Sequence, residues 1–346
     1  MPRLYTTVLS KKQTIRRSIL LIRPKLCSLL PSRQFGINST RKAPVSDKTK
    51  IAASESNQSL KLEKLFNVKD KVALITGGGS GIGLMAAQAL AVNGAKVYIT
   101  GRTANKLERV ASLYGNNISG KIIPLAADVT EKDEIRRLVS EISTREGYLS
   151  ILMNNAGISS QTQDTERKDA SELRETLFDD PAATFDEWDE VFRENVSHIF
   201  FMTTAFLPLL QRGSEVGDGW SSTVLNTTSM SGIVKMAQHH FAYNASKAAA
   251  IHLTKLLAQQ VSSSKLRVRV NNIAPGPFPS EMTTGESDEK QKSFIPDEKY
   301  RVKVPVARPG RDEDMAGAVL FAVCNQYFNG QTVVIDGGYV LAAGSA

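Results

Sequence analysis

The chain has 346 residues, 41% of them hydrophobic and 23% charged, which excludes wholesale disorder and leaves enough apolar material for one large core. Its best candidate for a membrane span, residues 18–30, is broken by Arg23, Pro24 and Lys25 and falls short of the roughly 20 apolar residues a bilayer demands. The net charge of +8 is concentrated at one end: residues 1–46 hold ten Lys or Arg and no acid, so subtracting ten leaves −2 for the rest, and no basic face for nucleic acid need be invoked.

The leader, residues 1–46, places Ile15, Ile19, Leu20 and Ile22 between basic residues and has the composition of an organelle transit peptide. Arg33-Gln34-Phe35 before Gly36 resembles a mitochondrial presequence cleavage site, so import into mitochondria is expected, with a disordered tail on a cytoplasmic protein as the alternative. Residues 47–66 are polar and expected to be a linker, and residues 67–346 form the folded domain. The two cysteines, Cys27 and Cys324, offer no disulfide framework, and Cys324 reads as a small buried hydrophobe. His198, His239, His240 and His252 lack metal-ligand spacing, so no metal site is expected.

From Val68 short unbroken apolar runs alternate with amphipathic stretches, the pattern of a parallel sheet covered by helices on both faces. Strands are expected at Val72–Thr76, Lys96–Thr100, Ile122–Leu125, Ser150–Asn154, Thr223–Thr228, Val268–Ile273 and Thr332–Ile335. Helices are expected at Ile82–Val92, Ala104–Ser112, Glu131–Arg145, Thr184–Gln211, Phe241–Val261 and Asp312–Val323. This alternation predicts an α/β fold, a single doubly wound Rossmann domain with a seven-stranded parallel sheet.

The first strand runs into Thr76-Gly77-Gly78-Gly79-Ser80-Gly81-Ile82-Gly83, after which a helix begins. Glycines there permit a tight turn and close backbone approach to a pyrophosphate, and the helix N-terminus offers free N–H groups to the phosphates. At the end of the second strand an acid would bond ribose hydroxyls, whereas Thr100-Gly101-Arg102-Thr103 supplies a cation suited to the extra phosphate of NADP(H). Asp128 and Val129 after the third strand are placed to meet the adenine edge, although an Asp at a strand end also serves as a helix cap.

Tyr243 and Lys247 lie four residues apart on an expected helix and are therefore neighbours on one face. A nearby ammonium stabilises a phenolate, while desolvation opposes it. With Asn154-Asn155-Ala156-Gly157, Asn195, Ser229 and Pro275-Gly276 in the same order, the chain resembles the short-chain dehydrogenase/reductase family over about residues 68–340. The resemblance implies Tyr243 as general acid or base, Ser229 bonded to the substrate oxygen, Lys247 on the nicotinamide ribose, and Asn195 holding a water in the proton relay. It also implies that Asn155, Ala156 and Gly157 line the cofactor groove, that Pro275, Gly276 and Ser280 sit against the nicotinamide, and that Asp336-Gly337-Gly338 closes the fold near a homodimer or homotetramer interface.

Two departures stand out. The family's serine usually lies one residue nearer the tyrosine than Ser229 and one farther than Ser231; Ser229, directly after an apolar strand, is the expected choice. The segment between Gly157 and Asn195 is also long, with an acidic insert around residues 164–180 expected to be a solvated surface loop. Residues 274–283 resemble 3-oxoacyl-thioester reductases of the rhamnolipid type, which implies a ketone or acyl-thioester substrate. The same resemblance extends to tailoring reductases of fungal secondary metabolism, and a non-catalytic NADP(H)-binding subunit is the alternative from another class.

Overall fold

The computed structural model describes residues 45–344 apart from residue 218. The basic leader as far as residue 44, with Cys27 and the Arg33–Phe35 motif, lies outside the described residues. Residues 47–66, expected as a polar linker, carry two helices, α1 (Asp47–Ser59) and α2 (Leu62–Leu65), none of whose residues is buried. No glycine or proline interrupts α1, and the Ser46 hydroxyl accepts from the Thr49 N–H at 3.2 Å at its start, so a helix forms without an apolar stripe to bury.

From Val72 the elements run β1 (Val72–Thr76), α3 (Gly81–Val92), β2 (Lys96–Gly101), α4 (Ala104–Tyr114), β3 (Lys121–Ala126) and α5 (Lys132–Glu146). They continue β4 (Ile151–Asn154), α6 (Ala170–Leu177), α7 (Phe185–Phe192), α8 (His198–Val216), β5 (Ser222–Thr227) and α9 (Phe241–Ser263). The last are β6 (Val268–Pro275), α10 (Glu281–Thr284), α11 (Asp312–Cys324), β7 (Thr332–Ile335) and α12 (Tyr339–Ala343). The seven strands form one parallel sheet in the order β3-β2-β1-β4-β5-β6-β7, as the alternation predicts.

Successive side chains of each strand feed opposite cores. Ala73 and Ile75 of β1 pack with Val97 and Ile99 against Leu90 of α3, Val110 of α4 and Val319 of α11. Val72 and Leu74 face the other way, with Tyr98, Leu152 and Val224, toward Leu138 of α5, Phe206 of α8 and Leu257 of α9. Leu74 is fully buried, and truncating it to Ala would cost about 2–5 kcal/mol through lost transfer energy and the cavity left behind.

The chain passes from β1 outward through β2 and β3, then returns to the other side of β1 at β4. The loops after β1 and β4 therefore diverge and open a crevice at the carboxyl ends of the strands. Thr76 holds its base together: its Oγ1 accepts from the Asn155 and Ala156 N–H groups, each at 2.9 Å.

Two regions depart from the sequence expectation. The helix expected over Thr184–Gln211 is divided by a π-helical turn, Arg193–Ser197, in which the His198 N–H reaches back to Arg193 O. One extra residue in the turn carries Glu194 and Asn195 inward, a local widening that recurs at functional sites and that apolar periodicity does not reveal. The acidic insert, expected as a plain solvated loop, is mostly exposed but contains α6, whose first turn is capped by the Asp169 carboxylate accepting from Ser171 and Glu172 N–H. Its approach is pinned to the loop before Tyr243. The Gln163 N–H donates to His239 O at 2.8 Å, His239 Nδ1 lies 3.1 Å from Thr165 Oγ1, and His240 Nδ1 lies 3.2 Å from Ser160 O. Cys324 is buried in α11, where burial pushes its thiol up to about 11.

Candidate active site

The glycine turn is stitched to β2 by the Gly77 N–H, which donates to Thr100 O at 2.7 Å. Gly77 has a φ of +65°, and a Cβ on Gly83 would lie 2.2 Å from Gly77 O, so any side chain there would force the start of α3 away from the turn. Gly83 thus acts through packing and does not line the cleft. Ser80 precedes α3 without capping it, so the first N–H groups of the helix face the cleft uncommitted by that side chain.

Gly77, Ser80, Gly81, Ile82, Arg102, Asp128, Val129, Asn155, Ala156, Gly157, Pro275, Gly276 and Ser280 all line one cleft of about 380 Å³, together with Ser229, Tyr243 and Lys247. Asp128 is held by the Thr130 N–H and hydroxyl at 2.9 and 2.7 Å. Burial pushes its carboxyl up, but those bonds and the Arg102 charge outweigh it and leave the group below the usual carboxylate range. Arg102 reaches across to Glu194, Nη1 to Oε1 at 3.1 Å. Lys106 lays its stem over Gly79 and its ammonium 2.7 Å from Glu281 of α10.

At the other end, Ser229 lies two residues beyond the end of β5 and its Oγ accepts from the Ser231 N–H at 3.1 Å. Ser231 is outside the cleft lining and donates its hydroxyl to Gln238 Oε1 at 2.7 Å, so the two serines are turned to different neighbours. A Cβ on Gly232 would lie 2.6 Å from the Lys247 carbonyl carbon, so glycine lets the serine turn dock on α9. Tyr243 lies in the first turn of α9 and Lys247 one turn on, with Lys247 Nζ 5.6 Å from the phenol ring centre.

Desolvation pushes the Tyr243 phenol up, and the neighbouring Ser229 hydroxyl works in the opposite direction. Lys247 is buried, donates to Thr227 O at 3.1 Å, and is held down to about 8 by burial. Asn195 is fully buried and also outside the cleft lining. Its Oδ1 accepts from the Ile158 N–H at 2.9 Å, and its Nδ2 donates to Ile158 O and to Ser246 Oγ at 2.9 and 3.0 Å. Gly157 separates Asn195 from Lys247: a Cβ there would lie 2.6 Å from Asn195 Oδ1 and 3.4 Å from Lys247 Nζ.

The residues present fit a dinucleotide. The cradle admits no Cβ at Gly83 without closing on itself, the helix start supplies donors for phosphate, and the phenol and ammonium stand at the far end of the same cleft. Sequence reasoning missed Glu194, Lys106 and Glu281, which line the cleft as well.

A parallel doubly wound sheet, a glycine turn at its switch point and a tyrosine–lysine pair over the crevice define a nicotinamide-dependent oxidoreductase. The profile of the short chain dehydrogenase family matches residues 71–291, and the chain belongs to that family. It is 39% identical over 295 residues to the short-chain dehydrogenase/reductase PhomF of Diaporthe leptostromiformis, covering 83% of this chain and 97% of that protein. It is 32% identical over 278 residues to the rhamnolipids biosynthesis 3-oxoacyl-[acyl-carrier-protein] reductase of Pseudomonas aeruginosa, covering 80% of this chain and 98% of the relative. The solved RhlG/NADP active-site complex of Pseudomonas aeruginosa superposes with a TM-score of 0.64 at 32% identity, over 80% of this chain and 98% of the other.

Proposed function

We propose that the protein uses NADP(H) to reduce a ketone, with a 3-oxoacyl thioester or a similar carbonyl compound as substrate, at Ser229, Tyr243 and Lys247. The observation that carries this reading is the convergence of hydroxyl, phenol and buried ammonium at one end of a cleft whose other end holds Arg102. Two relatives add support: the rhamnolipids biosynthesis protein is named a 3-oxoacyl-[acyl-carrier-protein] reductase, and the solved RhlG complex is with NADP.

When bound, the nicotinamide supplies the hydride for the carbonyl carbon. Tyr243 gives its proton to the carbonyl oxygen as negative charge develops there, and Ser229 donates a hydrogen bond to the same oxygen. Lys247 holds the ribose and favours the phenolate that Tyr243 becomes. Asn195 carries one bond on Oδ1 from Ile158 and can accept a second from a water that relays a proton toward Lys247, past the side-chain-free Gly157. Through resemblance and the basic leader, the working form is a homodimer or homotetramer in the mitochondrial matrix. Light scattering of the purified protein and fractionation of tagged cells test those two points.

The direct test is to follow NADPH absorbance with residues 60–346 against 3-oxoacyl thioesters, diketones, sugars and polycyclic ketones. Turnover with a 3-oxoacyl thioester is expected. Tight NADPH binding with no turnover on any ketone would favour a non-catalytic binding subunit instead.

A further inference from the structure

Arg102 is not free to meet a phosphate unopposed. Its Nη1 donates to Glu194 Oε1 at 3.1 Å, and among the described residues the guanidinium makes no other hydrogen bond. Glu194 comes from the π-helical turn across the cleft, and its side chain is 12% exposed against 62% for Arg102. The pair therefore joins an anchored carboxylate to a cation that water can reach. Burial pushes the Glu194 carboxyl up, and the Arg102 charge beside it pulls it back toward ionisation. Asp128 faces the same guanidinium as a second carboxylate, and Arg193 and Glu190 are the other charged groups acting on Glu194. One cleft-lining cation thus acts on two carboxylates that line the same cleft.

A ribose 2′-phosphate bound by Arg102 is a third anion at this place. It either takes the guanidinium from Glu194, leaving a poorly solvated carboxylate without its partner, or shares the guanidinium and accepts repulsion at close range. NAD(H) has no such phosphate and meets neither cost. We propose that Glu194 is a specificity-determining residue of the cofactor site, competing with the 2′-phosphate for Arg102 and so holding back the preference for NADP(H) over NAD(H). This rests on the NADP(H) reading above, in which Arg102 receives the phosphate.

Calorimetric titration of NADPH and NADH into the full chain, its Glu194→Gln and Arg102→Ala variants and the double variant tests both levels separately. Glu194→Gln keeps the side-chain volume and removes the charge. It is expected to tighten NADPH roughly fivefold, the upper range for an ion pair with one exposed partner, and NADH by less than twofold. The NADPH gain is expected to vanish in the Arg102→Ala background, because the two residues act through one contact. Should Glu194→Gln fail to fold, Glu194→Met carries the same expectation. An NADPH-to-NADH affinity ratio that stays put or falls in Glu194→Gln would overturn the proposal, making Glu194 a support that holds Arg102 in place. A gain that persists without Arg102 would overturn it too. If Arg102→Ala leaves the wild-type ratio unaltered, the NADP(H) reading itself fails, which separates the two failures.

Discussion

Lys247 exposes the tension between stability and activity in this site most sharply. Burial holds its ammonium down to about 8 from an ordinary value of 10.5, so the folded protein binds the proton less tightly than the unfolded chain. At a pH below the folded value both states carry the charge, and the whole penalty of burying it is present. As pH rises from about 8 toward 10.5 the folded state sheds the proton first, stability recovers, and the penalty fades. A shift of that size corresponds to about 3 kcal/mol at pH 7 and about 1 kcal/mol at pH 10, at 1.36 kcal/mol per unit. Lys247→Met removes the charge but also leaves Thr227 O without the donor now 3.1 Å away, which returns about 1 kcal/mol. The cofactor-free variant should therefore be more stable than wild type by roughly 2 kcal/mol at pH 7, with the gap closing by pH 10. Urea unfolding at both pH values measures it. A variant less stable at pH 7, or a gap that does not change with pH, would refute the placement of a costly buried ammonium.

Ser229→Ala should lower kcat on the order of a hundredfold, as loss of a donor to a developing oxyanion does, whereas Ser231→Ala should lower it far less; steady-state rates of the two variants decide which serine faces the substrate. Because desolvation raises the Tyr243 phenol, the proton donor is intact at neutral pH while the phenolate is scarce, so alcohol oxidation should climb with pH above 7 and ketone reduction should not; initial rates in both directions from pH 6 to 9 check the sign. Gly83→Ala, which sets a Cβ 2.2 Å from Gly77 O, should weaken NADPH binding at least tenfold by displacing the helix start, and fluorescence titration would record it.

The fold was legible because the central strands are covered on both faces. Val72–Thr76 is buried at every position, so it reads as an unbroken apolar run whose ends turn chemistry marks. The cleft lining was legible where local chemistry demands a residue type: glycine at Gly77 for a positive φ, and Tyr243 and Lys247 one helical turn apart. Contacts between distant segments were not. Lys106 meets Glu281 and Arg102 meets Glu194 only because the topology brings the ends of β2, the π-helical turn and α10 to one crevice, and no spacing rule pairs residues so far apart. The π-helical turn itself hid inside an apolar pattern that continues from α7 into α8, and α1 hid in a polar segment because its stability owes nothing to an apolar face.

Hydride transfer to a carbonyl carbon, with Tyr243 delivering the proton, is tested most directly by isotope. NADPH carrying deuterium at the transferring position is incubated with a 3-oxoacyl thioester, and the alcohol is analysed by mass spectrometry for wild type and Tyr243→Phe. The expected result is one deuterium at the carbinol carbon with wild type and no product with Tyr243→Phe, although that variant still binds NADPH. Product with no deuterium at that carbon, or turnover by Tyr243→Phe at the wild-type rate, would contradict it.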